Sequence, residues 1–141
     1  MSTERETQAQ ADRQLCGLVN GLASHIEAHL RVRAATLGLT ASQATALREL
    51  TGPVTLRELA DRMSCEPSNA TFVADRLEEQ GYLERHPHPE DRRAKQLVLT
   101  PRGTELRERL LALLAEDSPL SPLGPEERDV LQRLLTRALV R

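Results

Sequence analysis

Two stretches of this sequence, Thr40–Gln43 (T-x-x-Q) and Thr55–Glu58 (T-x-x-E), carry the signature of a capping box directly before an apolar run. They constrain the chain strongly, because a capping box fixes where a helix begins. Each start is preceded by a stop: Gly38 before the first, Gly52 and Pro53 before the second. The first box opens a helix to about Thr51. The second opens a short helix with Leu56, Leu59, Ala60 and Met63 on its apolar face. "SCEP" then makes a tight break, with Pro67 suited to the first position of another helix. Ala70, Val73 and Leu77 give that helix an inner face, and Gly81 stops it. Two short helices joined by about four residues read as a helix-turn-helix.

A hairpin should follow. Tyr82 to Arg85 reads as a strand, the Pro-rich stretch from His86 as a tip, and Gln96 to Leu99 as the return strand, with Leu97 and Leu99 on one face and Gln96 and Val98 on the other. Thr100 and Pro101 cap and start a further helix carrying Leu106, Leu110 and Leu113. "SPLSPLGP" (118–125) reads as a rigid polar connection to a last helix with Leu131, Leu134, Leu135 and Ala138. At the other end, residues 1–8 are polar and are expected to fray. From Ala9 to about Leu37, Leu15, Leu18, Val19, Leu22, Ile26 and Leu30 recur at spacings of three and four on one helical stripe.

The reading is a single mainly α domain of 141 residues with a small β-wing: a winged helix-turn-helix over 40–103, flanked by leucine-striped helices at 9–38 and 104–141. The core must be aliphatic, since only 1% of residues are aromatic. Nothing in the middle of the chain is left to cover the terminal stripes. Packing the two ends together and against a second copy, as a homodimer, would bury them.

On the helix from Pro67, the face opposite Ala70, Val73 and Leu77 holds Ser68, Asn69, Thr71, Phe72, Asp75 and Arg76. Ser, Asn, Thr and Arg donate to base edges and phosphates, and Phe72 can either touch a thymine methyl or fold back into the core. The hairpin adds charge. Arg85, Arg92, Arg93, Lys95 and Arg102 against Glu90 and Asp91 leave a local excess of three positive charges in a chain whose net charge is −2. A protein that coats nucleic acid without sequence preference is usually basic overall, so this one would need a local basic surface. Asp91, two residues before Arg93, is placed to brace its guanidinium, and a braced arginine on a narrow tip suits the minor groove.

The stretches "LTASQATALREL", "TLRELADRM" and "EPSNATFVADRLEEQGYLERHPHPEDRRAKQLVLTPRG" resemble the multiple antibiotic resistance regulator (MarR) family over roughly residues 15–115. The wing pattern D-x-R followed by L-x-L-T-x-x-G is complete in Asp91, Arg93, Leu97, Leu99, Thr100 and Gly103. The resemblance implies a homodimeric winged-helix transcriptional regulator, a repressor, bound to palindromic double-stranded DNA. It implies that Ser68, Asn69, Thr71 and Arg76 read the major groove and Arg93 the minor groove, with Arg92 and Lys95 on flanking phosphates. Phe72 stands where relatives often carry a small or polar residue. The resemblance also implies a small-molecule effector between the dimerisation helices and the winged-helix lobe.

Other chemistries fit these residues less well. Cys16, in "QLCGL", lies where peroxide-sensing relatives carry a reactive cysteine, but a low-pKa thiol needs cationic or hydrogen-bonding neighbours that the sequence does not supply. A plain buried cysteine is the stronger reading, and Cys65 reads as structural. His25 and His29 are spaced i, i+4, a weak two-ligand metal pattern, and His86 and His88 read as exposed or near phosphates. No phosphate-binding glycine loop, H-E-x-x-H or nucleophile with an adjacent base is present, so an enzyme is not expected. No cofactor is expected either. A winged helix that binds only protein is the remaining alternative, and it leaves the wing arginines unexplained. No stretch reads as a secretory signal or membrane span, and the expected location is the cytoplasm.

Overall fold

A computed structural model describes residues 2–140. In chain order the elements are α1 (Ser2–Thr36), α2 (Ala41–Glu49), β1 (Val54–Thr55), α3 (Leu56–Met63), α4 (Pro67–Glu79), β2 (Leu83–Pro87), β3 (Lys95–Leu99), α5 (Pro101–Ala115) and α6 (Pro125–Leu139). The chain divides into two compact units. One is Leu30–Glu116; the other joins the chain up to His29 with the chain from Asp117 onwards. The division differs from the one the sequence suggests. The last turns of α1 and all of α5 belong to the winged-helix unit, because Leu30, Ala34, Leu106 and Leu110 are buried in its core.

Within Leu30–Glu116, local chemistry starts and stops each helix. Gly38 adopts φ 72° and lets the Leu39 N–H reach back to the Ala34 carbonyl at 3.0 Å, closing α1. Both capping boxes form. The Thr40 hydroxyl accepts from the Gln43 N–H at 3.1 Å while the Thr40 N–H donates to Gln43 Oε1 at 3.0 Å, and Thr55 and Glu58 make the same exchange. Ser64, at φ 54°, ends α3 in the left-handed region, and Pro67 opens α4.

The core is aliphatic, as the composition requires: Leu47, Leu59, Leu77, Leu83, Leu97, Leu110 and Val54 are its largest fully buried side chains. Each such leucine contributes roughly 1.5–3 kcal/mol of burial. The inner face of α4 is the expected Ala70, Val73 and Leu77, joined by Ala74.

The wing is part of a three-stranded antiparallel sheet in the order β1-β3-β2. β2 and β3 pair from Leu83 opposite Leu99 to Pro87 opposite Lys95. The strand β1, absent from the sequence reading, pairs Val54 with Leu97 and buries Val54. Two residues give no periodicity, and only the pairing with β3 makes them a strand.

The other unit is helical. Among the described residues α6 buries no side chain, and Leu15, Leu18 and Val19 of α1 are exposed, as are Val130, Leu134, Leu135 and Leu139 of α6. Residues 2–8, expected to fray, are helical, since α1 begins at Ser2; Met1 lies outside the described residues. Glu4 sits in its first turn, where the helix dipole favours an anion, and the Thr7 hydroxyl donates to the Thr3 carbonyl at 2.9 Å. No helix among the described residues is long and apolar enough to cross a membrane.

Two outcomes follow. A Cβ at Gly103 would overlap the Tyr82 carbonyl. Gly103→Ala should therefore lower unfolding free energy by about 1–3 kcal/mol in a urea titration, and an unchanged midpoint would contradict this packing. The carboxyl of Glu58 is held below its ordinary value, first by bonding to the Thr55 backbone and then to its hydroxyl. Its contribution is therefore full above the ordinary carboxylate pKa and is lost as pH falls through the lowered one. Glu58→Gln, which can keep both capping bonds as Gln43 does but carries no charge, should flatten the acid side of the stability–pH curve and lower neutral stability to near the level the wild type reaches in acid.

Candidate nucleic-acid interface

The helix α4 presents Ser68, Asn69, Phe72 and Arg76 to solvent, on the side away from its buried face. Thr71 is half-buried, and its hydroxyl donates to the Pro67 carbonyl at 2.9 Å, so its oxygen remains an acceptor. Phe72 is exposed, with the Arg76 guanidinium carbon 5.8 Å from its ring centroid. A cavity of about 430 Å³ lies beside these residues, bounded by Thr40, Gln43, Met63, Cys65, Asn69 and Arg76 among others.

Asp75 and Glu78 lie on the flank of α4 and do not stay free. Arg85, from β2, reaches both: its guanidinium nitrogens lie 2.6 Å from Asp75 Oδ1 and 2.7 Å from Glu78 Oε1. Bonding to Asp75 first, and the nearby Glu78 charge, hold the guanidinium more firmly protonated than an ordinary arginine. The sequence reading counted Arg85 among the wing cations and missed this. The signal was available: two acids spaced i, i+3 at the end of one helix, followed across a glycine turn by an arginine. What the sequence could not give was the crossing that brings β2 back along α4. A second unforeseen tie joins α2 to the end of α4, where the buried Gln43 side chain donates to Gln80 Oε1 at 3.0 Å.

At the wing tip, Asp91 does not brace the Arg93 guanidinium as expected; it stabilises the turn. Its Oδ1 accepts from the Arg93 backbone N–H at 3.0 Å, and its carbonyl accepts from the Ala94 N–H at 3.1 Å. The short carboxylate caps the turn from below, as aspartates do, and the guanidinium is left alone. Arg92, Arg93 and Lys95 are exposed and make no ion pair with the described residues. The histidines differ from one another. His86 Nε2 lies 3.0 Å from Glu84, and half-buried His88 accepts the Glu90 N–H at its Nδ1, 3.1 Å away.

Cys16 is exposed, contrary to the buried cysteine expected, because the α1 stripe is uncovered at that level; Cys65 is half-buried, and both are free thiols. His25 is exposed and His29 half-buried. Among the described residues no three His, Cys, Asp or Glu side chains cluster as metal ligands would.

The Arg85 pairs are partly exposed, so they should add little to stability. A double-mutant cycle of Arg85→Gln with Asp75→Asn should give a coupling of no more than about 1 kcal/mol in urea unfolding; a coupling several times larger would mean the clamp is shielded from water.

A family model described as "MarR family" matches residues 39–95. The chain is 34% identical over 89 residues to YkoM of Bacillus subtilis, named as an uncharacterized HTH-type transcriptional regulator; the match covers 62% of this chain and 58% of that protein. It is 38% identical over 77 residues to the HTH-type transcriptional repressor MdtR of Bacillus subtilis, covering 53% of this chain and 50% of that one. The matches thus span little more than half the length of these relatives. Among solved structures, a mutant MarR from Escherichia coli complexed with operator DNA superposes with a TM-score of 0.70 at 26% identity, covering 90% of this chain and 94% of that one. These matches bear out the resemblance to the MarR family and its winged-helix fold.

Proposed function

We propose that this chain, whose residues 39–95 match the MarR family model, is a sequence-specific transcriptional regulator that represses by binding a palindromic operator as a homodimer. The observation that carries this reading is one compact unit that combines an exposed polar face on α4 with a wing tip of unpaired cations. The similarity to MdtR, a repressor, and to a MarR structure holding operator DNA supports it.

In this reading the exposed face of α4 enters the major groove. Ser68, Asn69 and Arg76 meet base edges and phosphates, Thr71 offers an acceptor, and the Ser68 N–H, the free one of the first turn, faces a phosphate. Arg93 enters the minor groove, and Arg92 and Lys95 lie along the flanking phosphates. Asp91 holds the turn through the backbone, so the guanidinium beyond it is free to meet DNA. The exposed aliphatic side chains of α1 and α6 become the dimer interface, which sets the two α4 helices about 34 Å apart, one turn of DNA. An effector that favours another spacing releases the operator by population shift. The site of action is the cytoplasm, where operator DNA is.

Anisotropy titrations on DNA from upstream of the chain's own gene, at several salt concentrations, test this. Arg93→Ala should weaken specific binding about tenfold or more, and Lys95→Ala should lower the salt slope by about one. Indifference of a specifically bound DNA to Arg93 would overturn the wing assignment. Failure to prefer any DNA over random sequence would overturn the function.

A further inference from the structure

The only phenylalanine of the chain is 66% exposed, on the outer side of α4 among side chains that make hydrogen bonds. Val73, the next residue, is buried, so the core accepts its neighbour and leaves the larger ring outside. An aromatic ring cannot grip a phosphate, nor read a donor and acceptor pattern. In a major groove the feature it can read is the C5-methyl of thymine, the one apolar group on a base edge there. Arg76 lies over the ring and steadies it, while Ser68 and Asn69, on the preceding turn, remain free of side-chain bonds within the described residues.

Resting on the DNA-binding reading above, we infer that Phe72 is a specificity residue that selects a pyrimidine bearing a 5-methyl group at one fixed position of each half-site. Cytosine, which lacks the methyl, is rejected there. 5-Methylcytosine restores the apolar contact, so methylation of a cytosine at that position strengthens binding.

The test uses the full chain and a duplex it enriches from a randomised library. Each thymine is replaced in turn by deoxyuridine, which removes the methyl and keeps the base pair. Affinity should fall about fourfold at one thymine per half-site, the effect of one lost apolar carbon, and change little at the others. Placing cytosine at that position and then 5-methylcytosine should show the methylated duplex binding more tightly. With Phe72→Ala the chain should still bind, through its polar contacts and wing, but no longer distinguish thymine from uracil there; Phe72→Leu should keep part of the discrimination.

If every deoxyuridine duplex binds wild type as well as its parent does, or if Phe72→Ala keeps the same sensitivity at the same position, the inference is wrong and the DNA-binding reading stands. If no duplex is enriched at all, the DNA-binding reading falls, and the inference with it.

Discussion

Thr100 is the joint on which the winged-helix unit depends. Its hydroxyl donates to the Gly81 carbonyl at 2.7 Å and accepts from the Gly103 N–H at 3.1 Å, and its own N–H donates to the Tyr82 carbonyl at 3.1 Å. One residue thus ends the wing, caps α5 and holds the turn that leaves α4. Gly81 must sit at φ 83° to make that turn, and Gly103 must lack a Cβ to let α5 approach Tyr82. Arg102 lies over the Tyr82 ring, 5.1 Å from its centroid, on the same crossing. The L-x-L-T-x-x-G pattern is therefore a geometric requirement. Without it the hairpin has no fixed angle to α4.

The second organising feature is where charge is neutralised and where it is not. The chain is slightly acidic overall. Arg85 takes up Asp75 and Glu78 on the flank of α4, while Arg92, Arg93 and Lys95 keep their charge at the tip. An exposed ion pair adds little stability, so the clamp's main effect is electrostatic. It offsets one of the two negative charges on the flank of the helix that would meet a polyanion. Arg107 does comparable work in the fold, donating to the Leu47 and Arg48 carbonyls at 2.8 and 3.0 Å and covering the exposed end of α2.

Much of this was legible in the residues. Both capping boxes, the stops at Gly38 and Gly81, Pro67 and Pro101 at helix starts, and the inner face of α4 all rest on interactions within a few residues, which spacing records directly. The features that were not legible join distant segments. Val54 is a strand only because β3 lies beside it. Arg85 is a clamp only because β2 folds back along α4. Asp91 holds the Arg93 backbone N–H rather than its guanidinium, because the turn's backbone path brings the N–H to the carboxylate. The sequence pattern also put the fold boundary at the loops, whereas burial assigns α5 and the end of α1 to the winged-helix unit.

The sequence by itself determined the helix starts and stops, the aliphatic core, the hairpin, and the concentration of cations at its tip, because each is set by local hydrogen bonding, by periodicity or by composition. Only the tertiary structure decided which of those cations are available. Arg85 and Arg93 are the same residue type a few positions apart, yet one is held by two carboxylates and the other by none. The difference is distance through space: the strand carries Arg85 past the acidic flank of α4, and the turn carries Arg93 beyond its reach.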